Sequence, residues 1–302
     1  MKYTELNENT MVTHVPAPWE KDMAEGDFVS WLPSFTGGEY FDLFDRYSYP
    51  CEETGDITYY VYDPVKHGTA EREKCPVLVW FHGASNSFNG RMCISHSGGE
   101  LFASPDYQKK MGGAYVIVPI ANEKLDEKGQ VIDGWSEKHC APVRGIIETV
   151  INQSSGRTGK IFVSGGSSGG VFSWLITASY PEFIDMCVPI SSPYFLTDEQ
   201  LENIVRNDVK ILVAHGRHDE LVPFEDCIAP YEEKLKSTKN CICYFPEWVR
   251  NGDGGVASLN FGFEMGQHCL INLAQSNFML DDGTPCDERL PEGLTGWIKD
   301  NL

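Results

Sequence analysis

A chain of 302 residues with 41% hydrophobic and 12% aromatic side chains can build a large buried core, which excludes wholesale disorder. Its 44 acidic against 24 basic residues leave a net charge of −20, which argues against nucleic acid and anionic membranes as partners because both select Lys/Arg surfaces. Length alone fits one α/β domain spanning residues 1–302.

From the N-terminus, Met1-Lys2-Tyr3-Thr4 leads into no apolar h-region, so a cytoplasmic location is expected, although a secreted form trimmed of its signal would read the same. No apolar run approaches the ~18 residues of a membrane span. Ten cysteines are scattered rather than clustered, and reduced thiols are expected. Residues 1–50, rich in Pro, Trp and acidic side chains, read as an extension packed on the body.

Short apolar runs then predict strands at 57–62, 77–81, 114–118, 161–164, 186–190, 209–214 and 241–245. Helical patterns fall between and after them, at 141–153, 170–180, 198–206, 225–235, 267–277 and 290–301. Several strand runs are continuously apolar, as parallel strands covered on both faces require. The alternation predicts an α/β fold: a doubly wound, mostly parallel sheet with helices on both faces. Cys241 and Cys243, two apart on the last run, share a face and suit packing rather than metal binding.

The 77–81 run ends in His82-Gly83-Ala84, and the 161–164 run enters Gly165-Gly166-Ser167-Ser168-Gly169-Gly170 ahead of a helical pattern. G-x-S-x-G between strand and helix is the nucleophile elbow, where a strained turn exposes a serine hydroxyl above the sheet edge. Ser167 and Ser168 both satisfy the spacing. Ser167 is preferred, because Gly170 then lies just beyond the elbow, where the helix starts close to the sheet. A plain Gly/Ser loop or a phosphate-binding turn is the competing reading, but no Gly-Lys-Ser/Thr ending supports the latter. An oxyanion would take backbone N–H groups from Ala84 and Ser168, each typically worth ~3 kcal/mol in the transition state. His82 reads as a structural histidine.

After the 209–214 run comes His215-Gly-Arg-His218-Asp219-Glu220, a turn whose carboxylate suits the acid of a triad. Asp219 leads, with Glu220 and Asp226 as weaker candidates and simple turn capping as the bland alternative. Chain order Ser, acid, His then singles out one base, since of eight histidines only His268 follows Asp219. His215, His218 and Asp219 as metal ligands are a weaker reading, because no H-E-x-x-H or cysteine pair completes the set. No metal and no cofactor is expected.

Together these segments resemble bacterial α/β-hydrolases of the predicted-peptidase, prolyl-oligopeptidase-like and feruloyl-esterase-like groups, from about residue 57 to the C-terminus. The resemblance rests on the Val79-Trp-Phe-His-Gly-Ala84 strand end, Tyr115-Val-Ile-Val-Pro119, Val163-Ser-Gly-Gly-Ser-Ser-Gly-Gly170, His215-Gly-x-x-Asp219-x-x-Val-Pro223 and Gly266-Gln-His268. It implies the α/β-hydrolase fold with Ser167 as nucleophile, Asp219 as acid and His268 as base. Two positions depart from the pattern: Gly166 stands where a larger residue is usual, and Gln267 separates Gly266 from His268.

The resulting expectation is a serine esterase acting on small-molecule esters of small or aromatic acyl groups. A peptidase of the same chemistry and an inactive hydrolase fold used for binding are the alternatives. A homo-oligomer is compatible with the sequence. Pocket loops are expected at 86–108, 122–139, 191–198 and 246–267, with Trp135, Tyr194 and Trp248 as aromatic candidates that read equally well as packing.

Overall fold

The computed structural model describes residues 29–31, 39–88, 93–96, 98–128, 130–250, 252–258 and 266–302. In chain order the strands are β1 (Val29–Trp31), β2 (Asp45–Tyr49), β3 (Ile57–Tyr62), β4 (Cys75–Phe81), β5 (Tyr115–Pro119), β6 (Lys124–Leu125), β7 (Val131–Ile132), β8 (Thr158–Gly166), β9 (Met186–Ile190), β10 (Lys210–Ala214), β11 (Cys241–Tyr244) and β12 (Val256–Ser258). The α-helices are α1 (Cys93–His96), α2 (Pro105–Met111), α3 (Cys140–Gln153), α4 (Ser168–Ser179), α5 (Asp198–Arg206), α6 (Phe224–Cys227), α7 (Glu232–Ser237), α8 (Ile271–Gln275) and α9 (Gly293–Asp300).

Eight strands form one sheet in the order β11-β10-β9-β8-β4-β5-β3-β2. From β11 to β5 all neighbours run parallel, while β3 pairs antiparallel with both β5 and β2. Side chains alternate between two apolar layers. On β4, Leu78 and Trp80 enter one layer, and Val77, Val79 and Phe81 the other. The first layer is closed by Tyr107 and Met111 of α2, Leu273 of α8 and Trp297 and Ile298 of α9. The second is closed by Val143 and Ile147 of α3, Phe172 and Ile176 of α4, Leu201 of α5 and Leu235 of α7. Burying each such side chain contributes roughly 1.5–3 kcal/mol. Both faces of the sheet are therefore covered, as the continuous apolar runs required.

Helix ends follow their local chemistry. Ser104 Oγ accepts the Tyr107 N–H at 3.2 Å with Pro105 at the first helical position, and Gly112 ends α2 in the left-handed region. Thr197 and Gln200 form a reciprocal capping box on α5. The helix expected at 225–235 is instead α6, a 3-10 turn over Ala229–Tyr231, and α7. Pro230 interrupts it by lacking the N–H that would continue the ladder. β2 was not expected as a strand; its burial is mostly exposed because it is a sheet edge paired on one side. Of the expected N-terminal extension, residues 1–28 and 32–38 lie outside the described residues. Cys241 and Cys243 do share a face, with Sγ atoms 3.9 Å apart, and none of the nine cysteines whose side chains are described forms a disulfide.

Candidate active site

The carboxyl ends of β4, β8 and β10 bring the singled-out segments to one edge of the sheet, where ligands bind in open α/β folds. Between β8 and α4, Ser167 has φ 57° and ψ −120°, a conformation that a non-glycine residue rarely adopts. Its N–H donates to Ile190 O at 2.9 Å and its carbonyl accepts from Val171, so both neighbours lock the turn. Ser168 begins the helix without that strain, and the strained position is therefore 167. Close approach explains the glycines: a Cβ at Gly169 would collide with the Phe81 carbonyl, and one at Gly165 would meet Phe81 O at 2.5 Å.

Asp219 follows β10 in a tight turn. Its Oδ1 accepts N–H groups from Leu221 at 2.9 Å and Val222 at 2.7 Å. His268 opens a 3-10 turn ahead of α8, and its Nδ1 lies 2.9 and 2.8 Å from Asp219 Oδ1 and Oδ2. Both residues are about 95% buried, at 5% and 4% exposure, so the pair is shielded from water. A carboxylate can only accept, which puts the imidazole proton on Nδ1 and leaves Nε2 basic.

Ile271, three residues beyond His268, lies against Gly166, the residue before Ser167. The Ile271 side chain occupies the space a Cβ on Gly166 would need. A side chain larger than hydrogen at 166 has no room there, because the segment after His268 packs directly on the turn. A Cβ on Gly83 would lie 3.8 Å from Ser167 Cβ, so the loop after β4 also abuts Ser167. Ala84 follows Gly83 in that loop, and Ser168 begins α4 directly after Ser167.

Three side chains support the site without having been recognised in the sequence for that role. Glu123, 8% exposed, accepts from Ser85 N at 3.1 Å and from Ser87 Oγ at 2.6 Å, bracing the loop that carries Ala84. Gln267 is fully buried. Its Oε1 accepts from Val249 N at 2.7 Å, and its Nε2 donates to Val249 O and Ala257 O at 3.1 and 2.8 Å. The residue separating Gly266 from His268 is thereby an anchor, and that insertion was its one signal in the sequence. Glu220 accepts the backbone N–H groups of Gln267 and His268 at 3.1 and 2.9 Å. Burial pushes its carboxyl up to about 7, against the pull of those N–H donors.

Of the three aromatic candidates, two pack in the core, one of the two readings open to them. Trp135 is 8% exposed, stacks on Phe172 at 4.6 Å and donates Nε1–H to His82 O at 3.0 Å. Tyr194 is 3% exposed, edge-on to Trp174, with the Lys234 ammonium 5.3 Å from its ring. Trp248 is half-buried and stacks on His218 at 3.8 Å, beside the acid turn. Of the expected pocket loops, residues 89–92, 97, 129, 251 and 259–265 lie outside the described residues. In the weaker metal-ligand set, His218 Nε2 meets Glu247 Oε1 at 3.0 Å and His215 Nε2 donates to Val222 O at 2.8 Å. Among the described residues no group of three His, Cys, Asp or Glu side chains is placed to hold a metal ion. No helix among them is long and apolar enough to cross a membrane.

Buried histidines around the site set an acid limit on stability. His82 Nε2 accepts from Ala121 N at 3.0 Å, so its proton sits on Nδ1, which donates to Gly83 O at 2.7 Å. Burial lowers the pKa of His82 and His215, and lowers that of His139 to about 4. Each group stays neutral when folded but protonates near 6.5 when unfolded, so stability falls as pH drops through that window. For His139 alone the loss approaches roughly 3 kcal/mol by pH 4. Glu220 works oppositely: its raised pKa means that the folded state binds a proton first, between about 7 and 4.5. Urea titrations between pH 4 and 6.5 should show stability declining with acid, and H139Q should flatten the slope by about one proton. An unchanged slope in that variant contradicts the assignment.

No protein-family model and no curated protein matches the sequence. Solved structures do match. A thermostable esterase aligns with TM-score 0.55 and 19% identity over 78% of this chain and 61% of that one. This chain therefore spans 61% of that esterase's length. The feruloyl esterase module from Clostridium thermocellum, complexed with sinapinate, aligns with TM-score 0.51 and 13% identity over 88% of this chain and 92% of that one. An esterase from Pyrobaculum calidifontis gives TM-score 0.50 and 15% identity over 84% and 85% of the two chains. The chain has the α/β-hydrolase fold.

Proposed function

We propose that this protein is a serine hydrolase that cleaves carboxylic esters of small or aromatic acyl groups through an acyl-enzyme. The reading is supported by the buried Asp219–His268 pair and the strained backbone of Ser167, with Ile271, three residues after His268, lying against Gly166. In the first half-reaction Ser167 Oγ attacks the ester carbonyl carbon while its proton passes to His268 Nε2. The carbonyl oxygen becomes an oxyanion between the N–H groups of Ala84 and Ser168. Collapse expels the alcohol, which takes the proton from His268. Water then gives a proton to the same nitrogen, attacks the acyl carbon and releases the acid, and the proton returns to Ser167. Asp219 holds the ring and offsets its transient positive charge.

Exposed apolar side chains favour an apolar acyl group. Phe88, Phe195 and Leu221 are 37%, 39% and 44% exposed, on the loops after β4, β9 and β10, at the sheet edge where Ser167 and Asp219 also lie. The structural neighbours named as esterases, one of them holding sinapinate, support ester chemistry and an aromatic acid. Hydrolysis of p-nitrophenyl acetate and butyrate and of methyl hydroxycinnamates should outpace that of aminoacyl p-nitroanilides. Faster cleavage of the anilides points to a peptidase, and inertness toward both series to a binding protein.

A further inference from the structure

Two adjacent carboxylates grip the same histidine in different ways. Asp219 takes the imidazole Nδ1–H, while Glu220 reaches the main chain and spans two consecutive N–H groups, those of Gln267 and His268. Those N–H groups open the 3-10 turn His268–Leu270, where no earlier carbonyl of the turn can accept them. No other hydrogen bond among the described residues ties the backbone of His268 itself to the acid turn. Gln267 secures the segment from its far side, to Val249 and Ala257. The ring, hinged at its Cα, needs that Cα fixed if Nε2 is to stay over a nucleophile whose own backbone is locked.

We propose that Glu220 is a positioning residue of the triad: its carboxylate fixes the peptide of the base to the acid turn and so sets the imidazole's reach toward Ser167. This rests on the esterase reading for its kinetic consequence, but its structural consequence is independent of any activity. A glutamine at 220 keeps the shape and loses the function, because its oxygen satisfies one N–H while its NH2 faces the other, donor against donor. Charge-assisted bonds of this kind are among the stronger ones available to a backbone amide.

The experiment pairs kinetics with proton NMR. The His268 Nδ1–H, shared with Asp219, should give a far-downfield resonance near pH 8, above the value of about 7 to which the Glu220 carboxyl is raised. Its loss in D219N assigns it. In E220Q that resonance should broaden through faster exchange with solvent. kcat for p-nitrophenyl acetate should fall about 10- to 100-fold with KM nearly unchanged, since misplacing a catalytic group by ~1 Å costs on the order of 10²-fold. E220D, which keeps the charge but is one methylene shorter, should recover part of both, and it carries the test alone if E220Q does not fold. An E220Q protein with the resonance intact and kcat within about twofold of wild type overturns the proposal. Should the wild type hydrolyse no ester, the function above fails, and the resonance in E220Q still decides the role of Glu220.

Discussion

Ser167→Ala is expected to reduce kcat toward esters by about 10⁶-fold, because removing the nucleophile leaves only binding and the oxyanion donors to act on water. Residual catalysis of about 10³–10⁴ over the uncatalysed reaction is expected from those elements. Ser168→Ala is the matched control. The Ser168 hydroxyl is buried without a hydrogen-bond partner among the described residues, while the role assigned to Ser168 belongs to its N–H, which alanine keeps. Its kcat should stay within a few-fold of wild type. Michaelis–Menten kinetics on p-nitrophenyl butyrate separate the two serines, and the reverse ranking would place the nucleophile at 168.

The second large effect is expected from Asp219→Asn, about 10⁴-fold in kcat, with the fold retained. Geometry dictates how the amide must sit. The Oδ1 position receives N–H groups from Leu221 and Val222, so the amide oxygen has to stay there. The NH2 group then occupies the Oδ2 position, 2.8 Å from His268 Nδ1. Facing a donor, Nδ1 must accept, and the ring proton moves to Nε2, where it blocks proton transfer from Ser167. The loss should fall on kcat rather than KM, and circular dichroism should match wild type. Equal activity in D219N would show that the acid lies elsewhere, with Glu220 the nearest candidate.

Much of the frame was legible because it is local. Continuous apolar runs such as 77–81 and 186–190 carry their own strand signal, and the G-x-S-x-G turn announces a constraint that only glycines beside a serine satisfy. His268 was reachable by order alone, as the last of eight histidines and the only one after Asp219. What stayed hidden depends on partners distant in sequence. Glu123 lies 38 residues from Ser85 and Glu220 lies 48 from His268, so no local pattern distinguishes these buried acceptors from solvated acids. β2 escaped notice because an edge strand paired on one side has no need of an apolar run. Trp135 and Tyr194 read equally well as pocket walls or as packing, because composition cannot distinguish an aromatic that lines a cleft from one that stacks in the core, as Trp135 does on Phe172. Gln267 shows the opposite case: the residue set between Gly266 and His268 is an anchor for the segment that carries His268.

The central claim is that Ser167, activated by His268 and Asp219, becomes covalently acylated. Its most direct test is reaction with a fluorophosphonate followed by fragment-resolved mass spectrometry of the peptide spanning Gly165 to Gly170. One phosphonyl adduct on Ser167, absent from S167A and formed far more slowly in D219N, is the predicted result. An adduct on Ser168 that persists in S167A, or a wild-type protein that takes up no label, contradicts it.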